Sequence, residues 1–189
     1  MSGIEIFTNT GIDTFTNTTL RSHPSFHNNC PYDVWPAGGR APYGQPDNSV
    51  RYGYHLTPGT SNAWNIDDHQ TGIRAWGRTG CDANGANCQT GACNGDTLCN
   101  DAGITSGVIL SEYGYGSGDL IYWNLSRAGE TDADPPLNVN IPLRVSGGGT
   151  TLDCNSNSDC AAAFQNPDDN QGKIHTAPLG TTYDVTFCP

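Results

Sequence analysis

Arg78-Thr79-Gly80-Cys81-Asp82-Ala83-Asn84-Gly85-Ala86-Asn87-Cys88-Gln89-Thr90-Gly91-Ala92-Cys93-Asn94-Gly95-Asp96-Thr97-Leu98-Cys99 places four of the chain's eight cysteines within nineteen residues, with almost nothing apolar between them. The other four are Cys30, Cys154, Cys160 and Cys188. A zinc site needs paired C-x₂₋₄-C ligands or histidines at matching offsets. The gaps here are 7, 5 and 6, and no C-x-x-C occurs. An even cysteine count without metal spacing predicts disulfides and an oxidising, extracellular compartment. Eight cysteines allow 105 pairings, so spacing alone does not fix the connectivity. Proximity favours Cys81–Cys88, Cys93–Cys99 and Cys154–Cys160, leaving Cys30 to close with Cys188. In the chain-entropy account a loop of ~15 residues gains about 3 kcal/mol and one of ~100 about 4.7, so the long closure should contribute most. The central bridges are expected to hold a loop that lacks apolar contacts, standing in for a core.

The remaining composition narrows the class. A chain of 189 residues is long enough for one domain with its own core. Nineteen acidic residues against eight basic ones give a net charge of −11, and Lys173 is the only lysine. Such a surface repels phosphate backbones and anionic membranes, so nucleic acid is not an expected partner. No run of about 18 apolar residues occurs, so no membrane-spanning helix is expected. Met1-Ser2-Gly3-Ile4-Glu5-Ile6-Phe7 has no basic and then apolar pattern of a secretory leader, so such a leader is expected to be already removed or never present.

Strand signals dominate. Runs of β-branched and aromatic residues bounded by turn residues fall at 4–8, 14–20, 50–56, 63–67, 72–78, 104–113, 119–125, 137–145 and 182–187. Pro58-Gly59, Asn84-Gly85, Asn94-Gly95 and Gly147-Gly148-Gly149 punctuate them. Leu137-Asn138-Val139-Asn140-Ile141-Pro142-Leu143 alternates apolar and polar as one half-buried strand would. The one helix candidate is 158–164, with Ser158 or Asp159 as cap and Asn166-Pro167 as stop. The expected fold is mainly β, an antiparallel sandwich with disulfide-stapled loops and little helix. Residues 1–25 read as a β-prone extension, in which Phe7-Thr8-Asn9-Thr10 is echoed by Phe15-Thr16-Asn17-Thr18, ahead of a domain at 26–189. The extension would form a hairpin on its own domain, or a strand joining another copy.

Four stretches in order carry a family resemblance. Phe26-His27-Asn28-Asn29-Cys30-Pro31-Tyr32-Asp33-Val34-Trp35 resembles the opening of thaumatin-like proteins. Ile73-Arg74-Ala75-Trp76-Gly77-Arg78-Thr79-Gly80-Cys81 resembles their R-x-W-x-R-T-x-C, and the cysteine-rich stretch resembles the loop that follows. Tyr183-Asp184-Val185-Thr186-Phe187-Cys188-Pro189 resembles their Y-x-V-x-F-C-P ending. The resemblance implies the pairs Cys30–Cys188, Cys81–Cys88 and Cys93–Cys99, while Cys154–Cys160 stays an inference from proximity. Larger members carry an additional disulfide-rich domain; this chain is similar to the small type, further reduced.

The resemblance also implies a function: an acidic cleft, built from Arg, Glu and Asp, that binds or hydrolyses β-1,3-glucan. The arginine falls on Arg74 and the glutamate on Glu112. Asn124, in Leu120-Ile121-Tyr122-Trp123-Asn124-Leu125-Ser126, stands where the family has an aspartate. Glycoside hydrolysis uses two carboxyl groups, about 5–9.5 Å apart, and an asparagine cannot be a general base. Catalytic Glu112 would therefore need Asp119, Asp132 or Asp134 as its partner, with Asp134 the candidate named here and Asp119 and Asp132 candidate binding residues. Asn17 and Asn124 begin N-glycosylation sequons. Of the aromatic side chains, Tyr43, Tyr52, Tyr113 and Tyr115 are expected to be exposed among glycine and proline, and Tyr113 with Tyr115 to form the cleft wall. Trp35, Trp76 and Phe187 are expected in the core.

No cofactor is expected. His23, His27, His55, His69 and His175 show no H-E-x-x-H, and no P-loop, G-x-S-x-G or dinucleotide fingerprint occurs. Asp67-Asp68 and Asp168-Asp169 lack EF-hand spacing. Three readings remain: a secreted β-glucan-binding protein of defence or the cell wall, a weak endo-β-1,3-glucanase, and an assembly subunit joined through residues 1–25.

Overall fold

The computed structural model describes residues 21–100, 108–127, 139–165, 169 and 172–189. Period-two burial begins at once. In β1 (Arg21–Asn28) Ser22, Pro24, Phe26 and Asn28 point inward while their neighbours do not. The expected junction at residue 25 falls inside this strand, so 21–25 are part of the sheet. The expected strands at 4–8 and 14–20 lie outside the described residues.

The further strands are β2 (Trp35–Arg40), β3 (Arg51–Gly53), β4 (Ser61–Ala63), β5 (Ile66–Asp67), β6 (Ile73–Arg78), β7 (Ile109–Gly116), β8 (Leu120–Arg127), β9 (Leu143–Gly147), β10 (Thr150–Cys154), β11 (Ala163–Phe164), β12 (His175–Pro178) and β13 (Thr182–Phe187). They form two sheets. One runs β10-β9-β13-β1-β4, with β5 also on β1; the other runs β11-β8-β7-β6-β2-β3, with β12 also on β8. The sheets are mixed rather than purely antiparallel. β1 lies parallel to β13, and β11 parallel to β8. Between the sheets, Phe26 stacks on Tyr52 and Phe187, and Tyr52 on Trp64. Tyr52, expected at the surface, is therefore core at 9% exposure, whereas Tyr43 is 99% exposed.

All eight cysteines are paired, as Cys30–Cys188, Cys81–Cys88, Cys93–Cys99 and Cys154–Cys160. Asn28 shapes the corner before the first: its Nδ2 donates to Tyr32 O and Leu56 O, and its Oδ1 accepts from Cys30 N. Among the described residues no helix is long and apolar enough to cross a membrane.

Two expectations fail for identifiable reasons. The alternation at 137–145 yields a strand only from Leu143; 137–138 lie outside the described residues. Proline has no N–H for a ladder, and Asn140 upstream of Pro142 is drawn away to Gly77 O and Thr90 Oγ1. The helix expected at 158–164 is a turn leading into β11. Seven residues cannot sustain a helix alone, and here Cys160 is tied to Cys154 while Ala163 is buried and pairs with Leu125. The only helical element among the described residues is a 3₁₀ turn at Pro42–Gly44.

The cysteine-rich loop also differs from expectation. It does not lack apolar contacts: it roofs part of the outer face of the seven-stranded sheet. Trp76, Ala37, Val108, Leu110 and Cys99 form a second buried cluster there, with Cys93 against it. The Trp76 indole N–H donates to Gly91 O in the loop. Arg78 is buried beneath it, donating from Nε to Trp35 O, from Nη1 to Gly85 O and Asp96 O, and from Nη2 to Thr97 O. Burial lowers this guanidinium to about 10, with the Asp96 charge opposing the shift. It is still a cation at neutral pH. The loop also sits hard against β3, because a Cβ on Gly53 would lie 1.6 Å from Thr97 O. Gly53→Ala must push this loop away, and should lower stability in a thermal melt by about 3 kcal/mol, the upper part of the overpacking range.

Candidate functional site

Where the roof ends, the outer face of the seven-stranded sheet carries a polar row. Ile73 and Ala75 of β6 face the main core, so Arg74 between them faces out. In register, Arg74 lies opposite Glu112 of β7, and Glu112 opposite Asn124 of β8. Such directly opposed cross-strand residues are close enough to bond. Arg74 Nε donates to Glu112 Oε1 at 3.1 Å, and Asn124 Nδ2 donates to Glu112 Oε2 at 3.0 Å. The Arg74 and Glu112 side chains are 22% and 26% exposed, so the pair is held yet reachable.

Both carboxylate oxygens of Glu112 accept from N–H donors held on neighbouring strands. No second carboxylate joins this row among the described residues. Asp119 sits in the turn beyond the Gly116–Leu120 pair, and that pair is already four residues along the strand from Glu112, or about 14 Å at ~3.4 Å per residue. Asp119 Oδ1 is already the acceptor for the Tyr115 hydroxyl at 2.7 Å. That bond first, then burial and the Asp119 charge, raises the Tyr115 phenol. Asp132, Asp134 and Asn17 lie outside the described residues.

The aromatic wall is not where the sequence suggested. Tyr113 is buried at 6% exposure, its ring against Tyr183. Burial drives its phenol upward. Tyr115 lies in the same phase as Tyr113, with its ring against His69. The outward positions after Glu112 are Gly114 and Gly116. Tyr122, two residues before Asn124 and on the same face, is 37% exposed. Its ring lies over Gly116, where a Cβ would meet Tyr122 Cε2 at 2.3 Å. The period of two contained this: with Glu112 outward, 113 and 115 must turn in. Among the described residues no group of three or more His, Cys, Asp or Glu could hold a metal ion.

A profile of the Thaumatin family matches residues 28–128, just over half of the chain. The chain belongs to the thaumatin family. It is 34% identical over 164 residues to thaumatin-like pathogenesis-related protein 4 of Avena sativa, covering 86% of this chain and 84% of the relative. It is 32% identical over 165 residues to a thaumatin-like protein of Oryza sativa subsp. japonica, covering 86% and 82%. Among solved structures, a thaumatin-like xylanase inhibitor superposes with a TM-score of 0.58 at 24% identity, over 88% of this chain and 99% of the other. At that identity the likeness speaks for the thaumatin fold alone. The mainly-β architecture and disulfide-stapled loops of this thaumatin-family chain are those expected from its sequence.

Proposed function

We propose that this chain is a secreted protein of defence or the cell wall that binds a β-1,3-glucan-type polysaccharide at the Arg74–Glu112–Asn124 row of the outer strip, without cutting it. The observation that carries the reading is the Glu112 carboxylate held between Arg74 and Asn124, with the Tyr122 ring farther along the same face over Gly116. An oriented carboxylate accepts hydrogen bonds from sugar hydroxyls, and an aromatic face stacks on a pyranose ring. Hydrolysis needs a protonated acid and an ionised partner. Glu112 is a single carboxyl group with an amide, Asn124, as its neighbour, and one group cannot fill both roles. Fully paired cysteines support an oxidising destination, and the pathogenesis-related names of the relatives support the defence assignment. The role requires Asn124 to stay unglycosylated, because a glycan at this position would cover the strip.

Co-sedimentation with insoluble β-1,3-glucan tests the reading. The wild type should pellet with the polymer and release no reducing ends. Glu112→Gln should weaken binding by about 10- to 100-fold, the equivalent of one hydrogen bond to a charged group. Wild-type protein that stays in the supernatant would end the proposal. Release of reducing ends that disappears in Glu112→Gln would replace it with an endo-glucanase.

A further inference from the structure

Between the two sheets, on the inner side of β7, lies a small cavity separate from the outer strip. Its lining includes Ser22 of β1, Asp68 just after β5, Ile73 of β6, Tyr113 of β7 and Tyr183 of β13. Ser22, Asp68 and Tyr183 are each at least nine-tenths buried. Asp68 Oδ2 accepts from Gly180 N at 2.6 Å. Its Oδ1, the Ser22 hydroxyl and the Tyr183 hydroxyl have no hydrogen-bond partner among the described residues. Buried polar groups are nearly always satisfied. A fourth such atom among the described residues, Trp123 Nε1, is not in the lining; the three that are share one cavity, and a single partner would serve them all.

The Tyr183 hydroxyl is held in place, because the ring packs against Tyr113 and edge-on against Trp123. Burial, reinforced by the Asp68 charge, pushes its phenol upward, so it keeps its proton and remains a donor. Asp68 Oδ1 is an acceptor, and Ser22 is either. We propose that this cavity is an internal hydration site for one ordered water, which accepts from Tyr183, donates to Asp68 Oδ1 and completes a third bond with Ser22. Buried waters make about three such bonds. The water ties the start of β1 to the β5–β6 connection and to the last strand. The lining holds two carboxylates, Asp67 and Asp68, and among the described residues no group of three or more His, Cys, Asp or Glu could hold a metal ion.

Crystallography of the full-length chain provides the direct test, with rubidium soaks in parallel. One solvent peak about 2.5–3.0 Å from all three oxygens, without anomalous signal, is the expected result. A dry cavity, a direct Tyr183–Asp68 hydrogen bond or a rubidium peak at that point would each overturn it. Ser22→Ala and Tyr183→Phe give a second readout in solution. Each should lower the unfolding temperature, and the double variant should lose less than the sum, because both act through the same water. Additive losses would count against a shared partner.

Discussion

Arg78→Met should lower the unfolding free energy by about 3–5 kcal/mol, the cost of leaving two or three buried carbonyls without their donor. Among the described residues the guanidinium makes no ion pair. It donates to four backbone carbonyls, those of Trp35, Gly85, Asp96 and Thr97, with the Asp96 charge acting on it from farther off. Methionine fills similar space and avoids the cost of burying a charge, but it leaves those carbonyls without donors, at about 1–3 kcal/mol for each that stays dry. Water entering the loop would relieve some, which keeps the total below the plain sum. Arg78→Lys should recover little, because an ammonium cannot span a fork of four acceptors. Urea titration should show a lower midpoint at unchanged slope, with faster amide exchange in the 79–100 loop. A loss under about 1 kcal/mol in Arg78→Met would mean that the disulfides alone hold this loop.

The second large effect belongs to the bridge between the ends of the domain. Removing Cys30–Cys188 with Cys30→Ser and Cys188→Ser should cost about 5 kcal/mol in the chain-entropy account, because its sequence separation is 158. The same account gives about 2–2.5 kcal/mol for Cys93–Cys99 and Cys81–Cys88, with separations of 6 and 7. Net stabilities of single domains are about 5–15 kcal/mol, so loss of the long bridge alone can bring the fold near its limit. The bridge closes the end of the β1–β13 pair, just past Asn28 opposite Phe187. Its loss should therefore fray that pair first. Denaturant melts of the two double variants, other bridges intact, decide the matter; equal losses from the long and short bridges would contradict the entropic origin.

How far the sequence could be read depended on the range of the interaction. Cys81–Cys88, Cys93–Cys99 and Cys154–Cys160 are short closures, and proximity pointed to them correctly. The helix expected at 158–164 failed because its local signal, a cap before three alanines, competes with a disulfide and a strand pairing that come from elsewhere in the chain. Tyr113 was placed at the surface by the company of glycine and is core, whereas Tyr115 is half-buried with its hydroxyl on Asp119. Strand phase relative to Glu112 was the better guide, and it also marks Tyr122. The roof over Trp76 was invisible because its apolar partners, Ala37, Val108, Leu110 and Cys99, are spread across the chain.

By itself, the sequence determined the mainly-β class, the oxidised framework, the family and the identities of Arg74, Glu112 and Asn124. These follow from residue type, spacing and motif, which are local properties. Only the tertiary structure decided that these three stand in one hydrogen-bonded row, that Asp119 is too far along the hairpin to join them, and that Ser22, Asp68 and Tyr183 meet around one cavity. Each of those depends on strand register and sheet order, set by the packing of the whole core rather than by any one stretch of chain.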